Sequence, residues 1–102
     1  MIRGTTPTYI LKIDDNVDFG TFETIEATIR QKGTIIRKTG DDLDINSEQK
    51  TVAVTLSQDE TLRFDDQKPA MIQLRIKDKT GNVFSHTPIE ISVDKCLSEE
   101  VI

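Results

Sequence analysis

One cysteine, one histidine, no tryptophan and no long apolar run: the shortages in this 102-residue chain exclude more than its motifs admit. With Cys96 alone no internal disulfide can form, which suits a reducing compartment or a fold that needs no covalent staple. A single histidine, His86, falls short of a three-histidine zinc site. It also lacks a nucleophile beside it, since Ser85 and Thr87 would take the opposite face of a strand. The favoured reading is an imidazole on a polar strand face. No segment approaches the twenty apolar residues of a membrane span, and MIRGTTPTYIL has no signal-peptide apolar core. The chain is therefore expected in the cytoplasm, unless a larger particle carries it elsewhere. Walker and dinucleotide-binding glycine patterns are missing as well.

Charge narrows the field further. The net charge is −5, with carboxylates gathered at Asp14–Asp18, Asp41–Asp44 and Asp65–Asp66. A binder of the phosphate backbone needs a basic stripe, and nothing interleaves cations with aromatics, so no nucleic-acid partner is expected. The acidic runs read as solvated turns. Asp41-Asp42-Leu43-Asp44 lacks the sixth-position glycine of a calcium loop. Asp15–Glu23 has Asp15, Asp18, a glycine and a late glutamate, but in the wrong order. A weak surface Ca²⁺ site stays open, while no metal or cofactor is assigned. Cys96, beside Lys95, reads as a half-buried structural thiol. Paired carboxylates for glycoside hydrolysis would need a cleft for which the chain offers little room. A non-enzymatic protein is expected.

What the chain does have is alternation. About a third of its residues are apolar, and isoleucine and threonine, which suit a pleated half-buried surface, are prominent. Thr51–Leu56 (TVAVTL) and Met71–Asp78 (MIQLRIKD) alternate apolar and polar positions, the period of a strand with one face buried. So does Thr24–Gln31, with Ile25, Ala27 and Ile29 on one face. Thr8–Ile13 opens after Pro7, a placement that suits an edge strand. Val17–Gly20 reads as a connection plugged by Phe19. Thr34–Lys38 returns after the Lys32-Gly33 turn, and Leu43 with Ile45 makes a short strand beyond a second turn. DKTGN is a hairpin turn. Val83–Thr87 and Ile89–Val93 form one strand interrupted at Pro88, implying an edge or a bulge. Residues 57–63 hold one helical turn, with Ser57 and Glu60 spaced as a capping box. Leu62 and Phe64 are expected in the core on either side of Arg63. These features predict one all-β domain over residues 1–102, a two-sheet antiparallel immunoglobulin-like sandwich of seven or eight strands. A small barrel is the alternative.

Two resemblances add to this. LSQDETLRF resembles the helical crossover by which immunoglobulin-like sandwiches pass from one sheet to the other. The chain has no disulfide, buried tryptophan or corner tyrosine of the antibody type, so the likeness is architectural. More broadly, Met1–Thr8 (MIRGTTPT), Leu56–Leu62, Gln73 with Arg75, and Cys96-Leu97 resemble a group of small proteins encoded in prophages and phages of Firmicutes. That group brings no established activity and no catalytic residues. The resemblance implies a phage context such as tail or baseplate assembly, and a virion structural or assembly role through protein–protein interaction. The alternative is a free cytoplasmic binding protein or assembly chaperone directed at a host or phage protein. Partners are expected to be proteins, whether copies of itself or other phage proteins, with no membrane association. Extended arms are expected at 1–7 and 95–102, the latter either a helical turn or an arm that needs a partner. Their apolar residues Ile2, Tyr9, Leu97, Val101 and Ile102 are the candidate interaction residues, since unpaired edges and loose ends invite strand addition.

Overall fold

A computed structural model describes residues 1–14 and 22–102. The expected Val17–Gly20 connection with its Phe19 plug and most of the Asp15–Glu23 acidic run lie outside those residues. Eight strands form: β1 (Thr8–Lys12), β2 (Phe22–Gln31), β3 (Thr34–Thr39), β4 (Leu43–Asn46), β5 (Thr51–Thr55), β6 (Ala70–Asp78), β7 (Val83–Ser85) and β8 (Ile89–Ile91). They build two antiparallel sheets. One has the order β1-β5-β4; the other runs β3-β2-β6-β7, with β8 continuing β7 along the same edge of β6. This is the strand order of an immunoglobulin-like sandwich whose first sheet lacks its outermost strand and whose second carries one extra edge strand.

The alternation in the sequence decides which side chains meet between the sheets. Leu11, Val52, Val54 and Leu43 point inward from the first sheet; Ile25, Ala27, Ile29, Ile36, Ile72, Leu74 and Ile76 point inward from the second. Phe64 and Leu56, both fully buried, close one end. Each such aliphatic or aromatic side chain contributes roughly 1.5–3 kcal/mol on leaving water. Phe64 reaches the core as expected, whereas Leu62 stays half-buried.

One polar residue sits in the apolar register of β2. Gln31 follows Ile25, Ala27 and Ile29 on the inward face and is only 6% exposed. Its amide is fully used. Nε2 donates to the carbonyls of Asp65 (2.7 Å) and Lys68 (2.6 Å), and Oε1 accepts from Asp65 N–H (2.6 Å). The glutamine thus holds the loop that leads into β6 against the end of β2. An apolar replacement leaves three backbone groups without partners, and each such group costs about 1–3 kcal/mol when buried. Gln31→Leu should therefore lower the unfolding free energy by at least about 2 kcal/mol in urea titrations; an unchanged midpoint would show that the loop re-solvates freely.

The crossover between the sheets is α1 (Gln58–Thr61), a single helical turn. Ser57 Oγ accepts from Glu60 N–H (3.2 Å) and Glu60 Oε1 accepts from Ser57 N–H (2.9 Å), a complete capping box. The same Oε1 binds Lys38 Nζ at 2.8 Å. Lys38 lies opposite Ala27 and so points inward from β3, an edge strand. A buried-side charge there discourages another strand from pairing with that edge. Burial pushes the Glu60 carboxyl up, but the Lys38 ammonium and the Ser57 donors outweigh it and hold the group below its ordinary pKa.

That direction fixes a pH dependence. A carboxyl held down in the folded state stabilises it fully above the ordinary glutamate value, about 4.3, and ceases to as pH falls through the folded pKa. Stability should fall on acidification below that value, and Glu60→Gln should flatten this part of the profile. Ser57→Ala should cost about 1 kcal/mol at neutral pH through the lost cap. Equal acid slopes in Glu60→Gln and wild type, measured by urea unfolding, would contradict the assignment.

Candidate interaction surfaces

The edge formed by β7 and β8 explains His86. Arg75 pairs with Ser85 and Ile72 with Ile89, so Gln73 and Leu74 face three residues, His86, Thr87 and Pro88. The extra residue is a β-bulge, as Pro88 suggested. His86 does not sit on a strand face; its ring turns into the edge of the ladder. Leu74 N–H donates to His86 Nε2 (2.9 Å), and His86 Nδ1 lies 2.7 Å from the Thr87 carbonyl. With Nε2 accepting, the ring proton is on Nδ1. Ser85 Oγ donates to the Leu74 carbonyl (2.8 Å), and Gln73 Nε2 donates to the His86 carbonyl (2.6 Å). Side chains here replace the backbone pairing that a proline interrupts. His86→Ala should leave the Leu74 amide open and speed its hydrogen exchange by about fivefold, as the loss of a hydrogen bond worth about 1 kcal/mol would. Unchanged protection of that amide would mean the bond is not formed in solution.

The hairpin DKTGN is held by Asp78. Its Oδ1 accepts from Thr80 N–H (2.9 Å), Thr80 Oγ1 (2.7 Å) and Asn82 N–H (2.9 Å). The Thr80 hydroxyl foremost, then the Asn82 and Thr80 amides, hold its pKa below the ordinary aspartate value. Gly81 takes φ +94°, where an L side chain is strained. The acidic turn Asp41–Asp42 is a 3₁₀ turn, Gly40–Asp42, leading into β4. Among the described residues no three histidine, cysteine, aspartate or glutamate side chains gather as metal ligands. Cys96 is half-buried.

The two terminal segments lie on the domain itself and meet beside α1. Met1–Arg3 runs parallel to Ser92–Asp94 through the Ile2–Asp94 bridge, with Asp94 N–H donating to the Met1 carbonyl (2.7 Å) and Arg3 N–H to the Asp94 carbonyl (3.0 Å). Thr61, fully buried, accepts from Gly4 N–H and donates to the Thr5 carbonyl, both at 2.9 Å. Gly4 has φ +78°, which lets the chain turn there. At the other end, Glu99 pairs with Arg3, and Gln58 grips the backbone of Ile102 through two bonds of 2.9 Å. The tail is irregular, with bends at Leu97 and Glu100, and is not helical. Of the five candidate residues, Tyr9 packs against the core from the inner side of β1, and Ile2 is half exposed in its bridge. Leu97 and Ile102 are wholly exposed and Val101 is more than half exposed. The tail is fastened through the Glu99 carboxylate and the Ile102 backbone while its apolar side chains face solvent.

A second surface went unseen in the linear reading. The outward positions of the larger sheet collect Arg30 from β2, Arg37 from β3, and Arg75 and Lys77 from β6, with Lys32 at the β2–β3 turn. Opposing them are Glu26, 3.6 Å from Arg75, and Glu90. Arg30, Arg37, Lys32 and Lys77 make no ion pair among the described residues. The middle of this face is a broad shallow depression of about 910 Å³ over Thr28, Met71 and Gln73. The signal lies in the alternation: the polar halves of β2, β3 and β6 each carry at least one cation. By contrast, the apolar notch between the sheets beside His86, lined by Ile13, Leu74, Ile76 and Phe84, has about 90 Å³, far less than the several hundred that small-molecule sites occupy.

Compared with models of known protein families and with curated proteins, the chain matches none.

Proposed function

We propose that this chain is a non-enzymatic protein–protein interaction module, acting as a structural or assembly component of a phage or prophage particle, in its tail or baseplate. The observation that carries the interaction role is the tail: Arg3 pairs with its Glu99 carboxylate and Gln58 holds its backbone at Ile102, while Leu97, Val101 and Ile102 stay in water. Ordering a segment costs about 1–2 kcal/mol of backbone entropy per residue. A segment held in place with its apolar groups outward has them arranged in advance for a partner, which reduces the cost of binding. The open face of the larger sheet offers a second contact. The phage context is supported by the likeness of Met1–Thr8, Leu56–Leu62, Gln73 with Arg75 and Cys96-Leu97 to small phage proteins. Among the described residues no helix is long and apolar enough to cross a membrane.

Removing Leu97–Ile102 takes away no residue of the buried core. The truncated protein should keep its fold, with a melting temperature within a few degrees of the full chain, and should lose self-association or partner binding. Light scattering after size-exclusion chromatography, over a range of concentrations, reads the first; pull-down against the other particle proteins reads the second. A truncated protein that unfolds, or that binds as the full chain does, would contradict the assignment.

A further inference from the structure

We propose that the outer face of the larger sheet docks an acidic polypeptide segment of a partner protein; this rests on the reading of the chain as an interaction module and names the chemistry of what it binds. The separation of charge is the first argument. A chain of net charge −5 places five cations on one sheet face against two carboxylates. Among the described residues only Arg75 of these five has an ion partner, at 3.6 Å, and it remains largely exposed. A face of opposite sign to the rest of the molecule steers an acidic partner to itself and away from the surrounding surface.

The composition of the face selects among polyanions. Ile35 lies beside Arg30, Arg30 beside Met71, and both apolar side chains are more than a third exposed. Arginine and methionine among aliphatic residues suit a protein interface. Among the described residues the outward positions of these strands carry no aromatic ring on which a base would stack. Glu26 and Glu90 interrupt any continuous track for phosphates, and a long nucleic acid would soon pass from this face onto acidic surface. The depression is open, and its cations are spread over three strands spaced about 4.8 Å apart. That geometry matches side chains distributed along a peptide better than one compact anion.

The test uses the full chain and a fluorescein-labelled twelve-residue peptide, (Glu-Glu-Val)₄, followed by fluorescence anisotropy at low and at high salt. Binding should saturate, weaken as salt rises, and weaken at least about tenfold in Arg30→Glu/Arg37→Glu, whose substituted side chains point to solvent and should leave the melting temperature unchanged. Arg30→Gln/Arg37→Gln should lie between the two. A peptide that does not bind, or binds both double variants as it binds the wild type, would overturn the proposal. So would tighter binding of a twelve-nucleotide single strand of DNA, which would make the occupant a nucleic acid. Self-association abolished by Arg30→Glu/Arg37→Glu and not competed by the peptide would instead make it a second copy of the chain. If the peptide fails while the tail truncation still abolishes partner binding, the face is wrong and the interaction-module reading stands; if both fail, that reading falls too.

Discussion

Four residues of helix, Gln58–Thr61, fasten an edge strand and both terminal segments of the chain. Glu60 closes its own cap with Ser57 and takes the ammonium of Lys38, drawing the edge strand β3 toward the crossover. Thr61, with no exposed surface, binds the backbone on both sides of the turn at Gly4 and Thr5. Gln58 holds Ile102, and the carbonyl of Leu62, just beyond the helix, accepts from Arg3, which also pairs with Glu99. The constraint behind this is general: a chain leaving one sheet for another must satisfy the backbone groups it exposes on the way. Here the side chains that do so also gather both terminal segments into one place.

Much of this was legible in the sequence, and the legible parts share a cause. Period-two alternation and turn residues are local, so the strands, the DKTGN hairpin and the capping box could be read a few residues at a time. Even the passage of the chain between sheets at LSQDETLRF is implied by the resemblance of that segment to an immunoglobulin-like crossover. Where long-range geometry decides, the reading ran out. Lys38 shows this well. Its place in the alternation marks it as inward, but only folding brings it to Glu60, twenty-two residues away. Gln31 likewise continues the apolar register of β2, a sign of a buried amide that was there to be seen. His86 looks like a strand-face residue in the sequence because the alternation of Val83–Thr87 runs through it; the bulge at Pro88 turns its ring into the ladder instead.

The basic face is the clearest instance of information hidden by linear order. Arg30, Lys32, Arg37, Arg75 and Lys77 never form a run, and glutamates and threonines lie between them. Net charge registers only their sum with the acidic turns. Antiparallel pairing of β2 with β3 and β6 turns the scattered cations into neighbours. The tail presents a similar lesson, since the apolar character of Leu97, Val101 and Ile102 was evident while their attachment at Gln58 and Arg3 was not. Together the two surfaces give the sandwich one apolar and one cationic patch on its outside.

The claim that matters most is that such an object is built into a particle. The most direct measurement is quantitative mass spectrometry of particles purified from cells producing the phage, against the soluble fraction of the same lysate. The account predicts the chain in the particles at a fixed ratio to the tail proteins and retained through density-gradient purification. Its confinement to the soluble fraction would contradict the account, and would point to a free binder directed at a host or phage protein.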